Sequence, residues 1–300
     1  MSDQIHDALS WDLFLNGSKI RSSYPPKEIN LVNRLVCYTN NFFVIAAIGA
    51  FVPGYLMIVS KKLISSYALL EEKELDEFYW LINQVRKSIE NTYKKKVVLF
   101  EHGMCACVGG LDRAHLHLMP IDESSNDMDI INAINRVLYN RKAGINYIDF
   151  NNHKFENIHD INQIITSCDK SNYIINGKLL NFVDLQNLDF QNWPFSALDH
   201  VKRGGHYIYF DSSSKLSSFL TKENFQTQFG REVVYEILMK KNLDFKKKAE
   251  KILKENEYIN VWQWQAKFFK ENIYKTMLDI IPELNKISLK NNYDFTTFKS

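Results

Sequence analysis

The run Arg113-Ala114-His115-Leu116-His117-Leu118-Met119-Pro120 sets two imidazoles two residues apart with apolar residues between them. Side chains alternate faces along a β-strand, so such a run aims Arg113, His115 and His117 one way and Ala114, Leu116 and Leu118 the other. The apolar set can pack on a core, and the polar set presents two imidazoles beside a guanidinium. An imidazole titrates near neutrality and serves as nucleophile, acid or base. A neighbouring cation suits an anionic substrate, most simply a phosphate. Upstream, Phe100-Glu101-His102-Gly103 ends another apolar run, and Asp112 directly precedes the histidine motif.

These residues resemble the signature of the histidine-triad superfamily of nucleotide hydrolases and transferases. There, three histidines alternate with apolar residues near the end of the domain; here Arg113 takes the place of the first. Phe100-Glu101-His102-Gly103, Asp112 and the closing Pro120 resemble a larger-chain branch of that superfamily. The match extends over Leu35 to Ser65 and, more weakly, into the C-terminal half. There Gln228-Phe229-Gly230-Arg231 resembles a Gln-X-X-Arg pattern on a helix. Trp262-Gln263-Trp264-Gln265 resembles a Trp-Asp-Trp-Arg pattern with acid and base both replaced by glutamine.

The resemblance implies an enzyme acting at the α-phosphate of a nucleotide through a covalent nucleotidyl-histidine. The nucleophile maps to His115, and His117 would hold phosphate oxygens or assist the leaving group. Hydrolysis of a dinucleoside polyphosphate or nucleotide conjugate is the first expectation. Nucleotidyl transfer to phosphate or a sugar phosphate shares the intermediate, and a catalytically relic nucleotide-binding protein is a third reading. No cofactor or metal site is required, and Mg2+ would enter only on a polyphosphate substrate. Small relatives pair through their sheets and helices, so a homodimer is an expectation, which the added C-terminal region could replace.

Each site residue carries its own expectation. A guanidinium at Arg113 should lower the pKa of His115 and could grip a phosphate through two parallel bonds. The competing expectation turns Arg113 to solvent or pairs it with Asp112 or Glu101. Glu101, His102 and Asp112 are expected to bind substrate or orient the histidines. Gln228 and Arg231, three residues apart, would share a helix face and reach a phosphate together. Gly230 between them costs a helix about 1 kcal/mol relative to alanine, tolerable where something must approach closely. Gly54-Tyr55 stands where the family usually has Gly-His, and Leu63 follows Lys62 where a histidine is common. Cys105-Ala106-Cys107, near the histidines, invites zinc, but its spacing is a poor match to Cys-X2-Cys and no second pair follows.

Strand-like runs at Leu35–Tyr38, Phe42–Ala46 and Tyr55–Val59 lead to these residues, the last two joined through Pro53-Gly54. Leu75, Phe78, Ile82, Val85 and Ile89 recur at helical steps within a helix predicted over Leu69–Lys94. Strands follow at Val97–Glu101 and Arg113–Pro120, then a helix at Met128–Tyr139. The fold class is therefore α+β: an antiparallel sheet with one long packed helix, resembling the histidine-triad core, and a mainly helical C-terminal extension. Polar residues 140 to 170 suggest a boundary, giving a first domain over 1–145 and an extension over 146–300. In that extension Asn176-Gly177 marks a hairpin within Tyr173–Leu180, and His206–Phe210 reads as a strand. Helices are predicted at Phe225–Met239, Phe245–Lys254 and Val261–Leu278.

The whole chain narrows the remaining classes. Its 300 residues are 45% apolar, enough for a sizeable core, and a net charge of +2 argues against a nucleic-acid footprint. Four irregularly spaced cysteines favour reduced thiols and a cytoplasmic location, and the first residues lack signal-peptide character. Phe42 to Val59 is uncharged and long enough to span a membrane. Pro53-Gly54 and the many β-branched and aromatic residues favour two buried strands there, so no membrane partner is expected.

Overall fold

The computed structural model describes residues 34–47, 49–104, 113–140, 146–148, 173–175, 178–180, 193–211, 218–221, 228–256, 266–286 and 296–297. The strands are β1 (Leu35–Tyr38), β2 (Phe42–Ala46), β3 (Leu56–Ser60), β4 (Lys96–Gly103), β5 (His115–Ile121), β6 (Asn146–Ile148), β7 (Tyr173–Ile175), β8 (Lys178–Leu180), β9 (His206–Asp211), β10 (Ser218–Thr221) and β11 (Thr296–Thr297). Eight of them form one sheet in the order β10-β9-β4-β5-β3-β2-β1-β11, and β6, β7 and β8 form a small second sheet. Every pairing in the large sheet is antiparallel.

The apolar run Phe42–Val59 supplies β2 and most of β3, paired from Phe42↔Ser60 to Ala46↔Leu56. Among the described residues no helix is long and apolar enough to cross a membrane. Residues 47 to 55 join the two strands, a longer link than the Pro53-Gly54 turn alone, with Gly49 and Gly54 both at positive φ. At Gly49 an added Cβ would stand 2.5 Å from the Arg231 guanidinium, so backbone and arginine can meet only at glycine.

Register assigns the faces. His117 pairs with Met57 and with Phe100, and His115 with Val59. His115, His117, Phe100 and His102 therefore share one face, while Leu99, Glu101, Leu116 and Leu118 share the other. On the second face lies helix α1 (Glu72–Tyr93), opened by a capping box between Glu71 and Glu74 and closed by Lys94 in the left-handed conformation. Its Phe78 packs on Phe42 of β2 and stacks on Tyr67 at 4.2 Å. The remaining helices are α2 (Asp127–Asn140), α3 (Leu198–Lys202), α4 (Phe229–Lys241), α5 (Leu243–Asn256) and α6 (Ala266–Asn285). Helix α4 covers the histidine face, where Phe229 packs near His102 and Phe210. Helix α2 runs beside it through Arg136–Glu236 and Asp129–Lys241 ion pairs. Helix α6 ties the 47–55 link: Asn272 donates to the Ala50 carbonyl and the Gly54 N–H donates to Thr276.

The α+β class and the antiparallel sheet with its long helix agree with the sequence reading. The division at residue 145 does not follow the layers, because β9 pairs with β4 over five residues and β10 extends the same sheet. The sheet's apolar face needs that strand and its side chains, so both halves build one core.

Candidate active site

Two imidazoles on β5 face each other from the centre of the sheet. Their centroids lie 4.8 Å apart and the ring planes meet at 72°. His115 is buried, only 7% exposed, and its Nδ1 lies 3.0 Å from the Arg113 carbonyl. A carbonyl only accepts, so Nδ1 carries the hydrogen and Nε2 of the neutral ring keeps its lone pair. Burial lowers the His115 pKa, and the bond to the Arg113 carbonyl opposes that fall in part.

His117 is the more open ring, half-buried and lying flat on Phe100 with 4.3 Å between centroids and 11° between planes. Its Nδ1 is 2.5 Å from the Tyr55 hydroxyl. Burial, and then the cationic forms of His115, His102 and Arg231, hold its pKa well below the usual histidine value. Both rings are therefore neutral near pH 7.

The N-terminal end of α4 closes over this pair. Gly230 N–H donates to His102 Nε2 at 3.1 Å, so His102 satisfies one of the first helical N–H groups, which lack partners within the helix. A Cβ at Gly230 would fall 2.2 Å from the Phe100 ring, so glycine lets the helix rest on the residue that backs His117. Arg231, in the same turn, is buried; it donates to the Gly49 carbonyl at 2.5 Å, and its guanidinium lies over the Phe51 and Tyr55 rings.

Three expectations change on this geometry. Arg113 precedes β5 instead of opening it, and its Nη1 donates to the carbonyls of Lys61 (2.5 Å) and Ser60 (3.2 Å). It clamps the chain beyond β3, and burial, not the guanidinium, is the main cause of the lowered His115 pKa. Glu101 lies on the opposite face from the histidines and takes hydrogen bonds from the Tyr67 N–H and the Tyr207 hydroxyl. It has no access to a substrate at His115. Gln228 and Arg231 do not share a helix face, because Gln228 is the left-handed residue before α4 and the helix begins at Phe229. Asp112, Cys105, Cys107, Trp262 and Trp264 lie outside the described residues.

The structure also adds residues that the motif did not single out. Phe100 was read only as part of Phe-Glu-His-Gly, although its parity with His102 places it under a histidine. Tyr55 stood out only as a departure from Gly-His. Among the described residues no cluster of His, Cys, Asp or Glu converges as a metal site would. A cavity of about 300 Å³ opens between Phe51, Pro53, Tyr93, Pro120, Leu238 and Phe245, with neither histidine in its lining.

No family model matches the chain, and no curated protein matches it. Solved structures similar to it include a Hit-like protein involved in cell-cycle regulation from Bartonella henselae, at 14% identity and a TM-score of 0.28, covering 34% of this chain and 78% of that one. A Streptococcus mutans protein is 12% identical at a TM-score of 0.28, covering 45% of this chain and 73% of its own. A member of the HIT family from Bacillus subtilis is 10% identical at a TM-score of 0.27, with 44% and 84% covered. With likenesses this low, function is read from the residues of the site.

Proposed function

We propose that the protein cleaves a nucleotide substrate at its α-phosphate, with His115 as the nucleophile. The observation that supports this most directly is the bond from His115 Nδ1 to the Arg113 carbonyl, which leaves an Nε2 lone pair on a ring held neutral by burial. In the first step Nε2 attacks phosphorus, an N–P bond forms, and the P–O bond to the leaving group breaks. In the second step water adds to phosphorus, the N–P bond breaks, and the ring is restored. His117, on the same face, would then bond the phosphoryl oxygens or the departing oxygen. Substrates with a nucleotidyl group on a polyphosphate or a conjugate fit this sequence, and replacing water by phosphate turns hydrolysis into transfer.

A second reading, nucleotide binding without turnover, draws on Arg113, whose guanidinium is committed to the Lys61 and Ser60 carbonyls. That leaves one cation fewer to offset charge on the phosphoryl group.

Incubation with diadenosine tetraphosphate labelled at the α-phosphate, followed by denaturing quench, tests the first reading. The expected product is an acid-labile, base-stable label on His115, absent from His115→Ala. Binding of the dinucleotide with no label and no product would leave the second reading standing and end the first. Product analysis with and without phosphate then separates hydrolase from transferase.

A further inference from the structure

The cavity of about 300 Å³ beside the 47–55 link stands apart from the chemistry of the histidines, since neither ring lines it. Its walls come from elements that are fixed independently of one another. Phe51 and Pro53 stand on the link, which α6 holds through the Ala50 carbonyl and the Gly54 N–H. Pro120 and Ile121 line it from the end of β5, and Tyr93 from the end of α1. Leu238 comes from α4, and Phe245 from α5, where the Asn242 side chain accepts from the Phe245 N–H at 2.9 Å and so caps the helix. Phe51, Phe245 and Tyr235 form a three-ring cluster, two of whose contacts are edge-on. The cavity is therefore built in advance of any occupant, as small-molecule sites usually are.

We propose that this cavity binds a compact apolar molecule bearing one negative charge, a medium-chain or aromatic carboxylate. Its body would lie against Phe51, Leu238 and Phe245, which are buried and offer a water molecule no polar side-chain partner. The polar side chains of the lining are Lys95, Asn242, Asp244 and Lys248, and of these Asp244 and Lys248 are exposed, which sets them at the mouth. Two ammonium groups against one carboxylate favour an anion there. Lys95 also bonds Asp122 at 3.0 Å, which uses one of the three donors of its ammonium. At about 30 Å³ for each water-sized group, the space takes about ten non-hydrogen atoms, the size of octanoate. Apolar contact supplies the affinity and the lysines choose the sign of charge. The site stands whether or not the histidines turn over a nucleotide.

Calorimetric titration of the full chain with octanoate tests this. One equivalent should bind with a dissociation constant on the order of 0.1 mM, and the Ile121 and Leu238 methyl signals should shift in 1H–13C spectra. Octan-1-ol, the same chain without the charge, should bind at least about fivefold more weakly, and joint Lys95→Met and Lys248→Met substitution should remove that difference. Val52→Trp, at a half-buried position of the lining, should fill the space and weaken octanoate at least about 30-fold. If that variant fails to fold, Leu238→Phe fills the cavity from α4 and carries the same expectation. 2-Naphthoate separates a flat ring from a chain, and binding of either acid that shifts the two methyls supports the site. No binding of either acid up to about 5 mM overturns it, as does binding that leaves those methyls unmoved or survives the filling variant. Octan-1-ol bound as tightly as octanoate overturns the choice of an anion.

Discussion

The two faces of the central sheet each bury polar groups, and they do so with opposite chemistry. On one face His115 and His117 are bases kept neutral, one bonded to a carbonyl and the other to a hydroxyl, and His102 accepts from a helix N–H. On the other, Glu101 is an acid pushed up to about 8 by burial, although the Tyr207 hydroxyl and Tyr67 N–H favour its charged form. The second face is closed by an aromatic stack: Tyr67 on Phe78, and Trp193 on Tyr209 at 3.7 Å. The first face keeps His117 partly open. A polar group sealed by aromatic packing serves the fold, whereas a pair of neutral rings side by side on a face that stays partly open is placed for chemistry.

The contrast can be broken at several points. The largest effect belongs to His115→Ala, which should lower turnover by at least about 1,000-fold while melting close to the wild type. Phe78→Ala, on the sealed face, should instead cost about 3–5 kcal/mol in denaturant titration and leave KM unchanged in the folded fraction. Gly230→Ala tests the seam between α4 and the site. Alanine favours a helix, but its Cβ must displace the Phe100 ring beneath His117. A net loss of about 1–2 kcal/mol with reduced kcat is expected from such overpacking, and a stabilised variant with normal kcat would show that Phe100 yields freely.

The smallest effect is in pH. The folded protein holds the Glu101 proton up to about 8, against 4.5 for the ordinary carboxyl. Glu101 therefore contributes stability that is full below about pH 4.5 and is lost as pH rises toward 8. The histidines work the other way, since their lowered pKa values make the folded state lose stability as pH falls below 6.5. Melting temperatures between pH 5 and 8 should decline less steeply toward alkali in Glu101→Gln. Parallel curves for the variant and the wild type would mean that Glu101 is ionised in the fold.

Much of this was legible in the residues. Alternation alone put His115 and His117 on one face, and the steps from Leu75 to Ile89 gave the long helix. The Phe42–Val59 run resolved into two strands because Pro53-Gly54 and β-branched residues oppose a helix. The role of Glu101 was not legible, since its adjacency to His102 in sequence is what places it on the opposite face. Arg113 also misled: a guanidinium beside imidazoles suggests a phosphate, but backbone carbonyls at Lys61 and Ser60 lie within its reach. The spacing of Gln228 and Arg231 implied a shared face only if the helix began early. The boundary near residue 145 followed composition, which cannot reveal that β9 returns to β4 from more than a hundred residues away.

That return of β9 makes the first half of the chain an incomplete product of synthesis. A polypeptide ending at residue 145 would present β4 as a raw edge, with unpaired amide and carbonyl groups along Leu99 to Gly103 and no roof above His117. Such a fragment would meet other copies of itself edge to edge, so the histidine face is completed only once β9 and α4 have been made.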